Sequence, residues 1–186
     1  MTSVVVAYHS GYGHTKRLVD GAVAGASGVA GVTASAIDVS TIDDAGWETL
    51  NQASGIIFAT PTYMGGISAQ FKAFADASAK VWVTQGWKDK VAGGMTVSNS
   101  PSGEKQVTFQ YLATLASQHS MVWTSIGMMP GKYNEAHPEH NRLGSAMGVM
   151  SEAENAPPEE TPPAGDIETA RLYGVRVAQL AKKIHG

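Results

Sequence analysis

The run His9-Ser10-Gly11-Tyr12-Gly13-His14-Thr15-Lys16 offers hydroxyls at Ser10 and Thr15 and glycines at Gly11 and Gly13, directly before a helical pattern. Glycines let a backbone wrap closely around an anion, and a helix N-terminus adds unpaired N–H groups and a partial positive charge. The chemistry this suits is phosphate binding. The dinucleotide pattern G-x-G-x-x-G fails, because Lys16 stands where the third glycine belongs. The Walker A pattern fails as well, since no glycine precedes Lys16 at the required place. Nor is there a G-x-S-x-G nucleophile elbow, as Tyr8 stands two residues before Ser10. What remains is the single phosphate of a mononucleotide, set against the plainer reading of a glycine-rich strand–helix turn with an ordinary cap.

Two further runs share these traits. Thr60-Pro61-Thr62-Tyr63-Met64-Gly65-Gly66 sets apolar surface at Tyr63 and Met64 beside two glycines that free backbone amides. Ser98-Asn99-Ser100-Pro101-Ser102-Gly103 is a polar turn with hydroxyl, amide and backbone donors, less the N–H that Pro101 lacks. Each alone reads as an ordinary loop. Their positions join them, because each follows a short apolar run with strand character.

Those strands are expected at residues 3–8, 32–38, 55–60, 91–97 and 121–126, the fourth weakened by Gly93 and Gly94. Helical patterns alternate with them at residues 15–27, 47–52, 68–80 and 107–119. A last helix is expected from Asp166 as N-cap, with Ile167, Ala170, Val177, Leu180 and Ile184 facing inward. Such alternation implies an α/β fold, a parallel sheet covered on both faces, with ligands beyond the carboxyl ends of its strands. The three runs then meet at one sheet edge as phosphate site, apolar face and polar rim. Residues 127–164 are rich in Gly, Pro, His and Asn, and read as a long functional loop ending in a stiff proline-rich connection at residues 157–163. One domain spanning residues 1–186 accommodates all of this.

Composition narrows the classes. A net charge of −3 supplies no basic excess for a nucleic-acid partner and no strongly acidic docking face. The absence of cysteine excludes disulfides, iron–sulfur clusters and thiol redox chemistry. No signal peptide and no stretch long enough for membrane insertion is found, so a cytoplasmic location is expected. His137-Pro138-Glu139-His140 spaces two imidazoles and a carboxylate closely, but proline between them suits a helical ligand pair poorly and no further ligand is evident. No metal is expected.

The run from Tyr8 to Thr15, the run from Thr60 to Gly66, and Trp82 together resemble the flavodoxin-like NAD(P)H:quinone oxidoreductases of the WrbA type. The similarity extends from the N-terminus to about Ile126 and returns over residues 167–186. It implies a flavodoxin-like three-layer sandwich whose five-stranded parallel sheet has the order 2-1-3-4-5. By the resemblance, Ser10, Gly11, Tyr12, Gly13, His14 and Thr15 hold the phosphate of FMN, with Tyr12 also touching the nicotinamide nucleotide. Pro61, Thr62, Tyr63, Met64 and Gly65 line the ribityl chain and isoalloxazine. Ser98, Asn99, Ser100, Pro101, Ser102 and Gly103 approach the pyrimidine edge. Trp82 walls the space over the flavin, and His119 stands near it; these two are the residues the resemblance assigns to catalysis. A homodimer or homotetramer is implied too, although the segment the family inserts after its second strand is missing here.

The implied activity is a two-electron transfer from NAD(P)H, as co-substrate, through FMN to a small-molecule quinone acceptor. The alternative is a flavodoxin-type carrier passing single electrons to a protein partner. Trp82 also keeps a second reading, that of a helix-end core aromatic.

Overall fold

A computed structural model, describing residues 1–186, gathers seven strands into one sheet. In chain order the elements begin with β1 (Thr2–Tyr8), α1 (His14–Ser27), β2 (Val32–Asp38), α2 (Asp44–Gln52) and β3 (Gly55–Tyr63). Then come β4 (Gly66–Ile67), α3 (Ala69–Ala77), α4 (Ala79–Trp82), β5 (Val91–Ser98) and α5 (Lys105–Gln118). The chain ends with β6 (Val122–Trp123), β7 (Val149–Glu152) and α6 (Ala164–His185).

Period-two alternation divides the strands between two cores. Val4 and Val6 of β1 join Ile57, Ala59, Met95 and Val97 beneath α1 and α6. Val5 and Ala7 join Ile56, Phe58 and Ala92 on the opposite face, beneath α2, α3 and α5. Both faces are apolar, so the strands read as continuous hydrophobic runs. The parallel order β2-β1-β3-β5 carries Tyr8 opposite Asp38 and Ala59, and Pro61 opposite Val97. The ends of β1, β3 and β5 therefore reach one edge of the sheet. This is the flavodoxin-like α/β architecture, and the order in which successive strands are added reverses at the junction of β1 and β3.

The expected single fifth strand is replaced by two. β6 pairs only with Val91 and Ala92, and the chain then leaves the sheet. It returns as β7, which pairs Val149–Glu152 with the far half of β5. Tyr173 of α6 closes the gap, donating from its hydroxyl to the Thr124 carbonyl (2.6 Å) and accepting from the Gly94 amide (3.2 Å). Burial pushes that phenol well above its ordinary pKa, so it stays a neutral donor.

Two helices also differ from expectation. The pattern at 68–80 breaks at Ser78, whose hydroxyl donates to the Ala75 carbonyl (2.7 Å), leaving α3 and the short α4. Asp166 lies in the first turn of α6 with Pro163 as N-cap, and its carboxylate turns inward to Arg142. The buried stripe of α6 is accordingly Ala170, Tyr173, Val177, Ala178 and Ala181, while Ile184 is exposed. No helix is long and apolar enough to cross a membrane.

Candidate functional site

The turn after β1 is held open by α1. Gly13 is the N-cap, with φ of 89°, a conformation that costs glycine little. Lys16 N donates to Ser10 Oγ (3.2 Å) and Arg17 N to the Gly13 carbonyl (3.2 Å). The Ser10 hydroxyl thus accepts one bond from the protein and keeps its own proton to donate. Gly13 has no side chain to cap α1, Ser10 Oγ takes one amide of its first turn, and no acidic residue stands in that turn, so the helix end keeps amides and a partial positive charge for an anion.

β3 ends in a hairpin with β4, and Met64 and Gly65 form its tip with positive φ. Tyr63 turns back over the first loop, its hydroxyl 2.3 Å from where a Cβ on Gly11 would stand, so a side chain at Gly11 would displace the Tyr63 hydroxyl. It meets Tyr12 edge-on, with ring centroids 6.1 Å apart. Burial first, and Tyr12 second, hold the Tyr63 hydroxyl above its ordinary pKa, as a neutral hydrogen-bonding group. Thr62 faces inward, its hydroxyl 2.8 Å from those of both Thr96 and Thr108. That hydroxyl is committed to the protein, so Thr62 shapes the loop from beneath.

Between these loops lies a cleft of about 610 Å³, within the usual size of small-molecule sites. Of the residues expected from sequence, Tyr12, His14, Thr15, Pro61, Thr62, Tyr63, Ser98 and Asn99 line it. Ser10, Gly11, Gly13, Met64, Gly65, Ser100, Pro101, Ser102 and Gly103 belong to the same three loops without forming its wall. Met64 is fully exposed.

The fourth wall comes from within residues 127–164, the long loop for which the sequence named no site residues. Ala153, Glu154, Asn155, Ala156, Pro157 and Pro158, following β7, line the cleft opposite the hairpin. They are tied in at three points: Ala153 N donates to the Ser98 carbonyl (3.0 Å), His14 Nε2 lies 2.9 Å from the Ala156 carbonyl, and Pro158 packs against Gly13. The local cue was the rigid Pro157-Pro158 pair inside a loop too long to be a mere connection.

Trp82 and His119 are not brought to this cleft. They line a separate hollow of about 260 Å³ with Ser78, Tyr111 and Leu115, which shares no residue with the cleft. Trp82 is 45% exposed, which also removes the reading of it as a core aromatic. His119 is buried, its ring 4.5 Å from that of Trp87. Because the Ser78 hydroxyl donates to Ala75, His119 Nε2–H donates to Ser78 Oγ (2.8 Å) and Nδ1 has no partner. Protonating Nδ1 would bury an unpartnered charge, and desolvation accordingly lowers the His119 pKa.

As pH falls below the ordinary histidine value of 6.5, the unfolded chain takes up a proton that folded His119 resists, and stability drops. Thermal melts between about pH 7.5 and pH 5 should fall more steeply for the natural protein than for His119→Asn. Parallel curves would show that His119 titrates freely.

His137, Glu139 and His140 do come together, outside the cleft, with Glu139 Oε1 3.4 Å from His137 Nδ1 and 3.3 Å from His140 Nε2. The two rings stack, with centroids 4.6 Å apart and planes 12° from parallel, and each turns one nitrogen to the same Glu139 oxygen. This is the geometry of a carboxylate bridging two imidazoles.

A cleft at the carboxyl ends of β1, β3 and β5, where the strand order reverses, defines a nucleotide-binding protein of the flavodoxin fold. Residues 44–134 match the family described as NADPH-dependent FMN reductase. The chain is 40% identical over 189 residues to flavodoxin FldP of Pseudomonas aeruginosa, covering the whole of both chains. It is 30% identical over 205 residues to the quinone-oxidoreductase QR2 of Triphysaria versicolor, covering 98% of this chain and 97% of that one. The crystal structure of a flavodoxin, WrbA-like protein from Agrobacterium tumefaciens superimposes with a TM-score of 0.79 at 43% identity, over 99% of both chains. The chain belongs to the WrbA-like family of flavodoxin-fold FMN proteins.

Proposed function

We propose that the protein is an FMN-dependent oxidoreductase that passes two electrons from NAD(P)H to a quinone or similar small acceptor. One observation carries this reading: the first turn of α1, free of acidic residues, lines a cleft large enough for a mononucleotide. Relatives called quinone oxidoreductase or NAD(P)H dehydrogenase (quinone), aligned over nearly the full chain, support it further. Bound FMN would accept and return the electrons, and the protein's part is binding, orientation and tuning.

Each residue group has a share in that work. The first turn of α1, with Ser10 and Thr15, would hold the phosphate. Tyr63, packed on Gly11, would flank the ring system while Ser98 and Asn99 meet its polar rim. Tyr12 is 75% exposed at the mouth, a flat surface on which a nicotinamide nucleotide can rest. The segment 153–158 would screen the phosphate side from water. Trp82 faces away from this cleft within one chain, and it is given no role in the step.

A second reading, the single-electron carrier, is favoured by the FldP relative. Weighing against it is the net charge of −3, too small for a protein that docks mainly through charge. Turnover separates the two. The purified protein should show a flavin spectrum that bleaches on adding NADH or NADPH, with steady oxidation of that donor when benzoquinone is present. A bound flavin that is bleached by neither nucleotide would favour the carrier. Chromatography of the released cofactor should give FMN, and FAD would overturn the assignment of the first loop.

A further inference from the structure

Lys105, the first residue of α5, is completely buried. Its ammonium donates to Ser98 Oγ (2.7 Å) and to the Ser100 carbonyl (2.6 Å), two groups of the polar loop after β5. Ser98 itself lines the cleft, so the charge stands one side chain behind the cleft wall. The neighbouring carboxylates do not neutralise it directly. Asp166 of α6 and Glu152 of β7 are both engaged by Arg142, the third charged group facing this position.

A buried charge without an ion-pair partner is costly, and two hydrogen bonds to neutral oxygens repay only part of that cost. A methionine of similar length would fill the space without the penalty. α5 adds little to the positive field of the ammonium, because its N-cap residue is Glu104, an acidic group at the helix's positive end. Lys105 is thus the cation behind the Ser98–Ser100 rim, while Glu154 is the acidic residue of the cleft lining.

We propose that Lys105 is a positioning residue that makes the cleft hold FMN more tightly after reduction than before, by fixing the Ser98–Ser100 rim and placing a positive charge behind it. The inference rests on the reading of the cleft as the FMN site. A ring system that takes up two electrons and one proton gains one unit of negative charge, and a fixed cation near its polar rim favours that state. Burial lowers the Lys105 pKa to about 8, so the ammonium is mostly charged at neutral pH and discharges just above it.

The experiment compares the natural protein with Lys105→Met by titrating apoprotein with oxidised and with reduced FMN, and by measuring the bound flavin's midpoint potential. The preference for reduced FMN should fall at least tenfold in the variant, equivalent to a midpoint about 30 mV lower. A loss of affinity equal for both redox states would make Lys105 a loop brace only, and would overturn the proposal. If neither protein binds FMN, the reading of the cleft fails first and this inference falls with it.

Discussion

Replacing Asp166 with asparagine should lower the stability of the protein by about 3–5 kcal/mol and weaken FMN binding at the same time. Asp166 is 2% exposed and every one of its partners is a donor. Arg142 Nε and Nη2 reach its two oxygens at 2.8 and 3.1 Å, Ser151 Oγ donates at 2.7 Å, and the Glu152 amide donates at 3.2 Å. An asparagine amide would set N–H groups against some of those donors and leave the Arg142 charge short of its counter-charge. The fold would lose the clamp that holds β7, a strand of only four residues, against β5. For a chain of this size the loss should appear as a melting temperature lower by about 6–20 °C. The cleft is affected because β7 leads directly into residues 153–158, its fourth wall. Calorimetry on the apoprotein, with FMN titrations of the folded fraction, checks both parts. A variant that melts normally would mean that the loop is anchored elsewhere.

The same aspartate shows where the sequence was legible and where it was not. β1, β3 and β5 announce themselves as runs of β-branched and small residues buried on both faces, a pattern stored in adjacent positions, whereas β2 lies at the sheet edge with only Val32 buried. The first loop was legible for the same reason: its glycines, its hydroxyls and the helix they precede are contiguous. Asp166 has the local appearance of an N-cap, and only Arg142, 24 residues earlier, makes it the centre of a buried network. β7 hid because four residues carry too little periodicity, and because the side chain that holds it, Asp166, comes from a separate helix. The residues of the fourth wall stayed unnamed because the contact that places them, Pro158 on Gly13, spans most of the chain. His119 was placed by resemblance alone, and its burial against Trp87 and Ser78 is a matter of packing that no short motif encodes.

The sharpest test of the cleft itself is the pair Ser10→Ala and Thr15→Ala, made together. Thr15 borders the cleft with 1% exposure, and the Ser10 proton is free to donate because its oxygen already accepts from Lys16 N. If both hydroxyls meet the FMN phosphate, two charge-assisted bonds are lost, about 2–4 kcal/mol in all, or roughly 30- to 1,000-fold in affinity. Ser10 also braces the first turn of α1, so the double change should cost about 1 kcal/mol of fold stability besides. Riboflavin, which has the same ring and ribityl chain without the phosphate, separates the two effects. Quenching of flavin fluorescence by the apoprotein should show FMN affinity collapsing toward that of riboflavin, while riboflavin affinity changes little. An equal loss for both ligands would mean that the first loop is merely loosened and that the phosphate lies away from α1. The field at the helix end survives both substitutions, since it resides in the backbone. Some preference for FMN over riboflavin should therefore persist in the double variant, and raising the salt concentration should erode it.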